Sequence, residues 1–175
     1  MSLTHHDFLN VKSIKDTVFV FIGSAFGLGL MPIAPGSFGA LLGVAMHLGI
    51  AFFIDAPLHR LFALVACLLG TSIVHFLLNS WAERYWNDSD SGNFVLDEIV
   101  GYLVVPIILY ASTAPLWYIA TAGFFIFRIF DIIKLPIARY IDRNWHNAWG
   151  VLLDDVVSGI YASGVVWLIA WFVWK

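Results

Sequence analysis

Charge is what this sequence has least of. Only 12% of its 175 residues are charged, 61% are hydrophobic, and the mean hydropathy is +0.86. A soluble domain carries about 25% charge, so the polar surface of a soluble monomer is missing. Basic runs are missing too: the formal net charge is −3 and no aromatic-basic module occurs, which excludes nucleic acid as a partner. There is one cysteine, Cys67, and therefore no intrachain disulfide. It lies in the apolar run Leu64–Leu69 and is expected to behave as a small buried hydrophobe. A cysteine-phosphatase motif is absent as well, because the position that would need arginine after Cys67 is Ile73. The polar stretch "MSLTHHDFLNVKSIKD" carries no cleavable signal pattern.

What is present is a set of long uncharged runs. None of the residues between Asp16 and Asp55, Arg60 and Glu83, Glu98 and Arg128, or Asp155 and Lys175 is charged. A membrane crossing needs roughly 17–25 apolar residues. The runs predict crossings at Phe38–Ile54, Leu61–Trp81, Ile99–Tyr110, Leu116–Phe127 and Val156–Trp174. The fold expected is all-α: a polytopic helical membrane protein with about five spans. If the loop after Leu30 faces the cytoplasm, Lys12, Lys15, Arg84, Arg128, Lys134, Arg139 and Arg143 lie inside and only Arg60 and Lys175 outside. That bias obeys the positive-inside rule. Thr17–Leu30 then cannot cross fully and is expected to be re-entrant or interfacial. The organisation expected is a polar cytoplasmic N-terminus, residues 1–16, and one helical membrane domain, residues 17–175.

This arrangement puts every polar cluster on one membrane face. Asp97 and Glu98 open an apolar helix, where acids also suit the helix dipole. Arg128, Asp131 and Lys134 follow an i, i+3, i+6 spacing near one helical face. A self-neutralising stripe explains that spacing. So does a phosphate site, with cations for phosphate oxygens and a carboxylate for a metal. Asp154 and Asp155 precede the last apolar run, and adjacent carboxylates repel unless a cation intervenes. Five carboxylates without a sulfur ligand suit a hard cation such as Mg²⁺. His146 is a candidate acid or base, or an interfacial loop residue. His47 and His75 lie within apolar runs and are expected to be hydrogen-bonded core or headgroup-level residues. The stretch "GLMPIAPGSFG", Gly29–Gly39, breaks an apolar run. Pro35, Gly36 and Ser37 there could form a phosphate-binding turn at a helix N-terminus, or only a kink.

Together these motifs resemble the phosphatidylglycerophosphatase A family of bacterial membrane lipid phosphatases. The family's G-x-G-L-x-P-x-x-P-G-[ST]-x-G loop is matched by Gly27–Gly39, and its W-D-E-x-V-G by Leu96–Gly101. Its F-R-x-x-D-x-x-K-P-x-P-I is matched by Phe127–Ile137, and its D-R-x-x-H…D-D-x-x-[AS]-G by Asp142–Gly159. The sequence departs at Ala40, Leu96, Leu135 and Asn147-Ala148, none of which removes a charge.

The resemblance implies a phosphoric monoester hydrolase. It would convert phosphatidylglycerophosphate to phosphatidylglycerol and phosphate with Mg²⁺, in phospholipid biosynthesis. It implies a multi-pass protein of the bacterial inner membrane with its active site facing the cytoplasm. Asp97, Glu98, Asp131, Asp154 and Asp155 are then the catalytic and metal-holding acids, and Arg128 and Lys134 the phosphate-binding cations. The alternative is a small transporter, or a non-catalytic membrane subunit, using the same charges.

Overall fold

Proline sets three of the helix starts. Pro35, Pro57 and Pro136 each occupy a first helical turn, where the missing N–H is no loss and φ is already helical. Asn147 starts another helix. Its side-chain oxygen accepts from the Trp149 and Gly150 N–H groups, both at 3.0 Å. The computed structural model describes residues 14–174. They form α1 (Ile14–Gly23), α2 (Pro35–Phe53), α3 (Pro57–Trp86), α4 (Leu96–Ile108), α5 (Leu116–Ile133), α6 (Pro136–Asn144) and α7 (Ala148–Val173). No strand occurs among the described residues.

Helices α2, α3, α5 and α7 are long and apolar enough to cross a membrane. Their outer faces carry large apolar side chains: Leu77 is 75% exposed and Phe172 71%. Such a surface suits lipid and not water. The run expected to supply a further crossing, Ile99–Tyr110, is α4, with thirteen residues. At 1.5 Å per residue it is about 20 Å long, short of a hydrocarbon layer of about 30 Å. It is the hub of the bundle, packed by α2, α3, α5 and α7. Every residue of it from 99 to 106 is buried.

Small residues let α7 lie directly on α4. A Cβ on Gly159 would overlap the Gly101 carbonyl, and one on Gly101 would stand 2.9 Å from Asp155 Cβ. This close crossing is what carries Asp155 to the side of α4.

α1 has ten residues, about 15 Å, too few to cross. Trp81 Nε1 donates to Asp16 Oδ1 at 2.9 Å, and Phe19 packs edge-on to Trp81. The Val95 N–H donates to the Gly23 carbonyl at 3.1 Å. The non-crossing segment expected at Thr17–Leu30 is thus a short helix along the end of α3, followed by a turn at Leu28–Leu30. Most of the polar segment 1–16 lies outside the described residues.

Helices α3, α5 and α7 run furthest past their expected limits. α3 spans Pro57–Trp86, α5 reaches Ile133 and α7 begins at Ala148. Charged residues taken as boundaries, Arg60, Glu83, Arg128 and Asp155 among them, lie inside these helices. Cys67 is half-buried and packs against the core.

Candidate active site

The helices alternate in direction, so the start of α2, the end of α3, the start of α4, the end of α5, all of α6 and the start of α7 share one end of the bundle. Lys15, Arg84, Arg128, Lys134, Arg139 and Arg143 belong to that end. Arg60 is the one Lys or Arg of the opposite end among the described residues.

Asp97 and Glu98 occupy the first turn of α4. Asp154 and Asp155 sit in the second turn of α7, not ahead of it, because Asn147 caps that helix. Neighbouring helical residues diverge by about 100°, and the two aspartates accordingly face different partners. Asp155 turns to α4. Ligand oxygens of Asp97, Glu98 and Asp155 all lie within 4.8 Å of one another. Asp131 lies within electrostatic range of Asp155 and Glu98. Asp97 Oδ1, Glu98 Oε2 and Asp155 Oδ2 are buried without a hydrogen-bond partner. Unpartnered buried carboxylate oxygens are costly, and like charges this close need a cation or a shared proton. The donor set is all oxygen. It therefore fits a hard divalent cation.

Arg128 adjoins this triad. Its Nη1 is 2.6 Å from Asp131 Oδ2 and 4.0 Å from Glu98 Oε1, and its Nε has no hydrogen-bond partner. Asp131 thus orients the guanidinium while leaving N–H groups for an oxyanion.

Lys134 departs from the expected helical stripe. It ends α5 with φ at 50°, and its side chain leaves the Arg128–Asp131 face. Its Nζ is 2.5 Å from both Asp142 Oδ1 and Asp154 Oδ2. Burial alone would lower the lysine pKa. The hydrogen bonds that Lys134 donates to Asp142 and Asp154 more than offset it and hold the ammonium above the usual lysine range. Arg139 reinforces the corner by donating to the Lys134 and Ile133 carbonyls at 3.0 and 2.9 Å. Asp142 was missed among the candidate site acids. The signal was its place after Ala138 and Ile141, the buried residues of α6. Asp90, in the α3–α4 connection, also lies within electrostatic range of Lys134.

The expected phosphate loop is largely helix. Pro35, Gly36 and Ser37 form the first turn of α2 behind Ala34, whose φ is 50°. Gly36 is buried against Glu98 and Arg128: a Cβ there would overlap Glu98 Oε1 and lie 2.9 Å from Arg128 Nη2. The positive end of α2 is thereby aimed at the acids and the guanidinium.

His146 is exposed in the α6–α7 turn and makes no hydrogen bond or ion pair. His47 and His75 are core residues. His47 Nδ1 is 3.0 Å from Tyr102 Oη, and His75 Nε2 is 3.1 Å from the Ala148 carbonyl.

The chain is similar to known proteins over most of its length. The sequence model of the family "Phosphatidylglycerophosphatase A" matches residues 21–170. Phosphatidylglycerophosphatase A of Escherichia coli (strain K12) is 28% identical over 165 residues, covering 94% of this chain and 91% of the relative. Phosphatidylglycerophosphatase A of Haemophilus influenzae is 32% identical over 147 residues, 84% of this chain and 85% of the relative. A Bacteroides thetaiotaomicron protein named "Putative phosphatidylinositol-3-phosphatase" is 33% identical over 158 residues, 88% of this chain and 94% of the relative. No solved structure gives a significant match.

Proposed function

The chain belongs to the phosphatidylglycerophosphatase A family, and from that premise we propose that it is a Mg²⁺-dependent lipid phosphatase. It hydrolyses the terminal phosphomonoester of phosphatidylglycerophosphate, giving phosphatidylglycerol and phosphate, as a step of phospholipid biosynthesis. The observation that carries this reading is the triad of unpartnered carboxylate oxygens on Asp97, Glu98 and Asp155, with Arg128 beside it, at one end of an apolar helical bundle.

Asp97, Glu98 and Asp155 would hold the cation, with Asp131 at their edge. Bound there, it supplies positive charge to a phosphoryl oxygen and acidifies a water molecule. Arg128, held by Asp131 at 2.6 Å, meets the remaining phosphate oxygens and the charge that grows on them in the transition state. The first turn of α2 adds N–H groups, with the Ser37 hydroxyl as a further donor. Lys134 faces Asp154 and Asp142 in the ground state. It contributes fixed positive charge beside the phosphate, and Asp154 holds it there instead of joining the triad. A carboxylate of the cluster accepts the proton of the attacking water. Exposed His146 has no part in that step.

The acidic end faces the cytoplasm in this reading, since it carries nearly all the cations, and the membrane is the bacterial inner membrane. The charges gather at one end of the bundle and leave α4 apolar from Ile99 to Ile108. That favours a hydrolase over a transporter, which needs polar groups at mid-bilayer.

The test is phosphate release by the purified protein from a panel of lipid phosphomonoesters, with and without EDTA. Turnover of phosphatidylglycerophosphate above the other lipids, lost with EDTA and restored by Mg²⁺, is expected. Turnover indifferent to EDTA would remove the metal from the scheme. Preference for a phosphoinositide would reassign the substrate.

A further inference from the structure

The end of the bundle opposite the acids also holds a built feature. Helices α2 to α5 leave a cavity of about 100 Å³ there, lined by residues that include His47, Arg60, Pro106, Ser112 and Ala114. A water needs about 10–15 Å³ on the same measure, so a phosphate-sized group has room. His47 lies eleven residues beyond Gly36 on α2, about 16 Å along the axis. This cavity is therefore separate from the acid cluster.

Its polar groups are held in place. Arg60 Nε donates to the Ile54 carbonyl at 2.5 Å. That tether fixes the guanidinium plane and leaves its Nη groups available. No carboxylate forms an ion pair with Arg60 among the described residues. His47 is only 5% exposed, and its Nδ1 is 3.0 Å from Tyr102 Oη. Nε2 has no protein partner, and in the tautomer in which the phenol donates to Nδ1 it carries the ring proton and is a donor. A fixed guanidinium and a neutral N–H donor over apolar walls recognise a tetrahedral oxyanion. The apolar surroundings at a membrane boundary leave such an anion little competition from water.

We propose that this cavity is a second, non-catalytic phosphate site. Its ligand is the phosphate group of an anionic phospholipid in the leaflet opposite the acid cluster, or free phosphate reaching it from that side.

The experiment is thermal unfolding of the full-length protein in a zwitterionic detergent, titrated separately with phosphatidylglycerol, phosphatidylcholine and inorganic phosphate. Wild type should gain about 3 °C or more with the favoured ligand. Arg60→Gln should lose that gain and Arg60→Lys should keep part of it. Ala114→Leu, which fills the cavity and leaves Arg60 untouched, should also lose it. A gain with phosphatidylglycerol alone makes the ligand a lipid, and a gain with inorganic phosphate makes it the free ion. Release of phosphate from the lipid substrate should stay within about twofold in all three variants, so the outcome is independent of the proposed reaction. Equal gains in wild type, Arg60→Gln and Ala114→Leu, or no gain from either phosphate ligand, would overturn the proposal.

Discussion

Gly36 makes room for Glu98: a Cβ at residue 36 would overlap Glu98 Oε1 and stand 2.9 Å from Arg128 Nη2. The start of α2 and the start of α4 therefore meet at the acid cluster through a hydrogen atom. Gly36→Ala should push Glu98 and Arg128 out of register. Misplacement by about 1 Å can cost roughly 10²-fold in rate. A loss of that size in kcat/KM is expected for Gly36→Ala, and a larger one for Gly36→Val. Ser37→Ala removes one neutral hydrogen-bond donor, worth about 2–10-fold. Phosphate-release kinetics on the three variants checks the order.

The triad should bind metal in the absence of substrate. Asp97→Asn, Glu98→Gln and Asp155→Asn each remove one of its charges. Each is expected to weaken Mg²⁺ or Mn²⁺ binding, read by calorimetry, and to lower kcat by about 10³-fold or more, since the charge stabilisation at stake is several kcal/mol. Unaltered metal affinity in all three would dissociate the cluster from any metal.

Lys134 lies between two carboxylates, and Asp154 is 4% exposed. Lys134→Met leaves Asp154 buried without its cation. That should cost about 3–5 kcal/mol of stability, seen as a lower unfolding midpoint, together with turnover. Asp142 is more open, so Asp142→Asn should cost less.

The pH dependence of this lysine has a definite sign. Its folded pKa lies above the unfolded value of about 10.4, since Asp142 and Asp154 outweigh burial. Its stabilisation is then complete below about pH 10.4 and fades only as pH rises toward the folded value. Stability between pH 6 and 9 should show no lysine titration, and Asp142→Asn should bring the alkaline loss to lower pH. Unfolding midpoints from about pH 6 to about pH 12 decide it.

His146 is expected to be dispensable. It is exposed and forms no ion pair with any member of the cluster. His146→Gln should retain turnover within about twofold and leave the pH–rate profile unmoved, because a general base contributes about 10²–10⁴-fold. A loss of about 10²-fold or more in His146→Gln would place His146 in the reaction after all.

The sequence revealed the charge inventory, because ionisable residues in a chain this apolar have few places to go. Asp97 and Glu98 stand in the first turn of α4, where the sequence puts them. The break at Ala111–Pro115 falls between α4 and α5. Which charge meets which was legible only for the i, i+3 pair Arg128 and Asp131. Asp154 and Asp155 are adjacent in sequence but divide between Lys134 and the triad, because helical rotation separates them and Gly101 and Gly159 decide how closely α7 approaches. Lys134 keeps the i+6 spacing yet leaves the helix at a positive φ, which spacing alone does not reveal. The cavity beside Arg60 was invisible for the same reason. Its walls come from four helices, and the connections flanking it look plain in sequence.

The most direct measurement is phosphate release from phosphatidylglycerophosphate by the purified protein and its Asp155→Asn variant, each with saturating Mg²⁺ and with EDTA. The account predicts turnover only for wild type with Mg²⁺, and none above background for the variant while it still folds as a helical protein. Wild-type turnover by Asp155→Asn, or equal turnover in EDTA, would contradict it.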